Sequence, residues 1–113
     1  MEEFRGLVLY NLELDGNLNG VYTNNHPDLR GQIFTETARL RDDTIIVDET
    51  QIRVYDCFYF DAVDGSINCT LTFNITNRII TATWTLNGRV IFTGEGFQMN
   101  DRQIAISYWH ADN

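Results

Sequence analysis

Three pairs, Asp15-Gly16, Asp64-Gly65 and Asn87-Gly88, each separate two runs in which apolar and polar residues alternate. Such pairs supply the positive φ angles that tight hairpin turns require. Alternation at period two marks a strand with one buried face. Thr, Val, Ile, Phe and Tyr dominate the runs, no long segment repeats at a helical period, and Pro27 is the single proline. Proline lacks the N–H a central strand must donate, so its scarcity suits an extended ladder. The expectation is an all-β chain of about eight to nine antiparallel strands in an up-and-down meander. At 113 residues it forms one domain, 1–113, with no room for crossover helices. An open meander leaves two unpaired edges. Closure into a small barrel removes them, and a two-sheet sandwich is the alternative.

The turns set the faces. A two-residue turn at Asp64-Gly65 puts Phe60 opposite Cys69, Phe58 opposite Leu71 and Asp56 opposite Phe73. Val54, Asp56, Phe58 and Phe60 then join Cys69, Leu71 and Phe73 on the core face, while Arg53, Tyr55, Cys57 and Tyr59 point outward with Thr70 and Thr72. A three-residue loop Asp15-Gly16-Asn17 gathers Val8, Tyr10, Leu12 and Leu14 with Leu18 and Tyr22. A bulged loop Asn87-Gly88-Arg89 aligns Ile80, Ala82, Trp84 and Leu86 with Val90 and Phe92. Asp42-Asp43 and Asn100-Asp101 are two further turns, and a four-residue turn in VDETQI sets Val47 opposite Ile52. The stretch LNGVYTNN, with its Gly20-Val21-Tyr22, resembles the second-strand region of avidin-type and lipocalin-like barrels. That likeness implies the same small up-and-down barrel. No biotin-site or lipocalin signature motif follows it.

Charge narrows the partners. The chain carries a net −8, and all eight of its basic residues are scattered arginines. Nucleic acid and anionic membrane surfaces both need a basic footprint, so neither is expected as a partner. No apolar run is long enough to span a bilayer as a helix. The opening MEEFRGLVLYNLELDG is acidic where a signal peptide is basic, which predicts a cytoplasmic protein. Cys57 and Cys69 fall on opposite faces of their predicted hairpin and are not expected to bond. They lack the spacing of a zinc site, and no cofactor motif is present.

Polar groups on apolar faces are the candidates for function. Asp56 sits among core residues near one predicted end of the barrel, either as a rim carboxylate paired with Arg41 or as a carboxylate inside a cavity. Glu36 shares its face with Phe34, Ala38 and Leu40. Trp84 offers an indole N–H to a pocket floor. The leading expectation is a barrel that binds a small, partly apolar ligand in its interior or at one open end, lined by Tyr10, Tyr22, Phe34, Glu36, Asp56, Phe58 and Trp84. One alternative is a structural domain with a filled core and a homodimer contact at Tyr55 and Tyr59, since Tyr and Arg favour interfaces. Another is a small-barrel isomerase or hydrolase using Glu36 and Asp56 as an acid/base pair.

Overall fold

The computed structural model describes residues 3–41 and 44–111. They form nine strands: β1 (Gly6–Leu12), β2 (Leu18–Asn24), β3 (Phe34–Leu40), β4 (Ile45–Val47), β5 (Thr50–Asp61), β6 (Gly65–Thr76), β7 (Ile79–Leu86), β8 (Arg89–Gln98) and β9 (Gln103–His110). All are antiparallel and lie in the order β3-β2-β1-β9-β8-β7-β6-β5-β4. The last half of β5 also pairs with β3, from Leu40 opposite Tyr55 to Glu36 opposite Tyr59. That seam closes eight strands into a barrel and excludes the sandwich. β4 hangs on the first residues of β5, with Ile45 opposite Ile52, as an extra strand outside the closed wall. Among the described residues no helix is long and apolar enough to cross a membrane.

Closure follows from the number and twist of the strands. A twisted antiparallel ribbon of this length brings its edges round to meet, and pairing them satisfies backbone groups that would otherwise need solvent. The inward row is mostly apolar on the barrel strands, with Glu36 on β3 and Asp61 on β5 the buried carboxyl groups within it. Tyr10, Leu18, Tyr55, Leu71, Phe73, Ile80, Ile104 and Ile106 are all sealed from solvent. Truncating any one aliphatic among them removes about 2–5 kcal/mol.

Most expected faces hold, but several registers differ. In β1–β2, Leu12 pairs with Leu18, two residues earlier than the short loop predicts. The inward set Val8, Tyr10, Leu12, Leu18 and Tyr22 is unchanged by an even shift. Leu14 instead stands 94% exposed at the tip of the turn. Asn87-Gly88 is a tight two-residue turn, with both residues at positive φ and Leu86 opposite Arg89. The extra residue sits further along, where the register shifts between Trp84 and Thr85, and this restores Trp84 opposite Phe92. Asp48-Glu49 is likewise a two-residue turn, with Val47 opposite Thr50 rather than Ile52. The expected turn at Asp42-Asp43 lies outside the described residues.

The hairpin β5–β6 departs most. Its pairs are Asp61 with Gly65, Phe60 with Ser66, Cys57 with Cys69 and Tyr55 with Leu71. The loop therefore holds three residues, 62–64, and not the two of Asp64-Gly65. The Asp61 carboxylate causes this by accepting the N–H groups of Val63 (2.8 Å) and Asp64 (2.6 Å), an Asx turn that starts the loop early. Gly65 then takes the positive φ, +72°, that a three-residue loop demands. The register moves by three residues, an odd number, so β5 is turned over relative to expectation. Tyr55, Cys57, Tyr59 and Asp61 point inward. Val54, Asp56, Phe58 and Phe60 form the outer row, with Phe58 42% exposed.

Candidate functional site

One end of the barrel is gathered by the start of β1, the end of β2, the loop over 25–33, the loop 62–64 and the end of β9. Here the interior is hollow. A cavity of about 200 Å³ opens among Phe4, Tyr22, Asn24, His26, Leu29, Glu36, Tyr59, Asp61, Val63, Asp64, Trp84, Phe92, Tyr108 and His110. Leu29, from the loop above, is 4% exposed and closes part of the mouth. His26 anchors that loop through its carbonyl, which accepts the N–H groups of Leu29 and Arg30, each at 2.9 Å.

Rings make up most of the wall. Trp84, Phe92 and Tyr108 pack with centroids 5.6–6.4 Å apart. Tyr22 continues the collar, 5.9 Å from Tyr59 and 6.5 Å from Tyr108. Phe4 stacks on His110 at 4.1 Å where the chain enters β1. The phenol groups are held rather than loose: Tyr22 donates to the Phe60 carbonyl at 2.9 Å, and the Tyr108 hydroxyl accepts from Asn24 at 3.1 Å. Burial pushes the Tyr22, Tyr59 and Tyr108 hydroxyls well above the usual phenol range, so all three stay neutral donors.

Glu36 forms the floor. It is 5% exposed, set on β3 with its side chain directed into the barrel. Its Oε2 accepts the Tyr10 hydroxyl from β1 and, at 3.3 Å, the Trp84 indole N–H from β7. Burial pushes the carboxyl upward from its usual value, and the hydrogen bonds from Tyr10, Trp84 and Cys57 oppose this only in part. Tyr10, wholly buried below the cavity, is pushed up in turn, first by burial and then by the facing carboxyl. A carboxylate offers about four acceptor positions. Tyr10 and Trp84 both use one oxygen and the Cys57 thiol takes a third position, so Glu36 keeps capacity for a further donor.

The sequence-predicted residues separate into two groups. Tyr22, Glu36 and Trp84 line the cavity; Tyr10 supports Glu36 from beneath. Phe34 is half-buried and packs on Tyr22 with centroids 5.7 Å apart, behind the wall. Asp56 and Phe58 do not belong. Asp56 lies outside, bound by Arg41 through Nε at 2.9 Å and Nη2 at 2.7 Å. It shares no space with Glu36, because the wall runs between them, so the expected acid/base pair is removed. Tyr55 and Tyr59, expected on an outer contact surface, are interior residues. Cys57 and Cys69, expected on opposite faces, are cross-strand partners on the inner face, both as free thiols. A hydrogen bond with Cys69, then burial, holds the Cys57 thiol far above its ordinary value.

Sequence reasoning missed Tyr59, Asp61, Phe92, Tyr108, Phe4 and the loop residues His26 and Leu29. Tyr108 carried a usable signal, since it continues the inward row of Ile104 and Ile106. Phe92 did too, being aligned with Trp84. Tyr59 and Asp61 were lost with the register of β5. Phe4, His26 and Leu29 lie outside the strands and have no periodicity to read. Among the described residues, no group of three or more His, Cys, Asp or Glu side chains is placed to hold a metal ion. Compared with protein-family models, curated proteins and solved structures, the chain matches none of them.

Proposed function

We propose that this protein is a binding barrel, lipocalin-like in arrangement, that holds a small and largely apolar ligand in the cavity at one end. The observation that carries this reading is a hollow bounded by rings at one end of a barrel whose core side chains are otherwise sealed from solvent. Close packing is the rule for protein interiors, and a void of this size sacrifices contacts along all of its walls. A cavity of about 150 Å³ accommodates benzene, so about 200 Å³ suits a single ring or a short branched chain with one small substituent. Glu36 and the Trp84 indole supply the few polar groups that orient an occupant in an otherwise apolar site. A cytoplasmic setting is part of the proposal, supported by two facing thiols that stand unbonded, as a reducing compartment keeps them.

Titration with neutral monocyclic aromatic fragments, followed by amide and indole N–H chemical shifts, tests the site. The expected outcome is saturable movement of the Trp84 indole resonance and of the amides of Tyr22, Tyr59 and Tyr108. Shifts confined to the outer row of β5, or none at millimolar fragment, would remove the reading.

A further inference from the structure

We infer that the natural occupant is an organic cation: a primary ammonium group on a small ring or short-chain body, its N–H donors directed at Glu36. This rests on the cavity being the binding site. Three independent features of the lining select this class.

The first is charge. Two carboxyl side chains in the lining, Glu36 and Asp61, are 5% and 4% exposed, and Asp64 adds a third at the mouth. Among the described residues no arginine lines the cavity, and the chain has no lysine. His26 is turned to its own loop, where Nδ1 accepts the N–H of Asp28 at 3.1 Å. His110 lies against Phe4 and Phe92, its ring stacked on both. An anionic occupant would meet three carboxyl groups and no guanidinium to balance it.

The second is the wall. Tyr22, Tyr59, Trp84, Phe92 and Tyr108 surround the space, and aromatic faces attract ammonium groups through their quadrupole, most strongly where water is excluded. The third is the floor. Glu36 lines the cavity and takes Tyr10 and Trp84 on Oε2, with the Cys57 thiol as a further donor, which leaves acceptor capacity for an occupant. A hydroxyl would satisfy one such position. An ammonium fills one as well and also supplies the charge that a buried carboxylate lacks.

Three isosteric probes decide it: benzylamine, protonated at neutral pH, benzyl alcohol and benzoate. Affinity of the wild-type protein for each is measured at pH 7 from the Trp84 indole shift. Benzylamine is expected to bind at least tenfold tighter than benzyl alcohol, on the order of a desolvated cation–π contact, with benzoate weakest. Glu36→Gln brings the amine to within about threefold of the alcohol. Alcohol or benzoate binding as tightly as the amine overturns the cation while leaving the cavity as a site. Binding by none of the three overturns both. If Glu36→Gln fails to fold, Tyr22→Leu, which removes one ring and no carboxylate, is expected to weaken the amine more than the alcohol. Equal weakening counts against the cation.

Discussion

Glu36 is the residue on which the interior turns. Its carboxyl is pushed above the ordinary 4.5 by burial. The folded protein therefore holds this proton more tightly than the unfolded chain does. The stabilisation is complete below about pH 4.5 and is lost as pH rises through the folded value. The other titratable groups facing it are Tyr10 from β1, Tyr22 from β2, Cys57 from β5, and Tyr59 and Tyr108 around the cavity, all pushed toward their neutral forms. None of these gains charge in the mildly acidic range, and Asp61, Asp64, His26 and His110, which also line the cavity, are shared with Glu36→Gln, so the difference between the two proteins belongs to Glu36. Urea unfolding from pH 4 to pH 8 is the measurement. Relative to Glu36→Gln, the wild type is expected to lose stability with rising pH, by at most about 1.4 kcal/mol per pH unit. Parallel curves would show that Glu36 titrates as it does in water. By contrast the Arg41–Asp56 pair, on the outer wall with both partners well exposed, contributes within the range of surface ion pairs, under about 1 kcal/mol.

At the scale of elements, β5 shows how one side chain chooses a register. The strand has two apolar faces. One reads Val54, Phe58 and Phe60 with Asp56 among them; the other reads Tyr55, Cys57 and Tyr59. Burying the first would place a carboxylate in the core, at a cost of several kcal/mol without a partner. Burying the second puts Asp56 in solvent beside Arg41 and leaves Asp61 to cap the loop it begins. Gly65 holds the +72° φ that completes this loop, and a Cβ added there would meet nothing within 4 Å. Gly65→Ala is thus a test of backbone conformation alone. It is expected to cost about 1 kcal/mol in thermal or urea unfolding, and Gly65→Asn less, because asparagine tolerates that region. A neutral Gly65→Ala would mean that the loop does not set the register.

The whole molecule is a closed wall with one appended strand. Thr37 lies mid-strand in β3, opposite Asn19 on one side and Phe58 on the other. Every backbone group there has a neighbour, so Thr37→Pro breaks the seam that closes the barrel and is expected to cost about 3 kcal/mol or more. Ile46 sits in β4, which among the described residues pairs only with β5 and lies outside the ring. In a two-residue hairpin the pair beyond the closing one turns its N–H away from the partner. Ile46→Pro is therefore expected to cost under about 1 kcal/mol in the same denaturation experiment. Equal losses at the two positions would mean that the ring gains nothing from closure.

Alternation, turn pairs and the lack of a helical period determined a meander of about eight to nine strands from the chain alone, and the two-residue register error in β1–β2 left the inward rows there intact. Tyr22, Glu36 and Trp84 were legible because each continues an apolar row, and rows are local. Which face of β5 points inward was not local, since both faces are largely apolar and the choice between a two-residue and a three-residue loop turns on the Asx turn at Asp61. Only closure against β3 made one choice compatible with an apolar centre, bringing Tyr59 and Asp61 into the cavity and sending Asp56 and Phe58 out. The cavity belongs to the tertiary structure for the same reason: it is walled by Phe4, His26, Leu29 and Tyr108, residues far apart along the chain that meet only when the ring is complete.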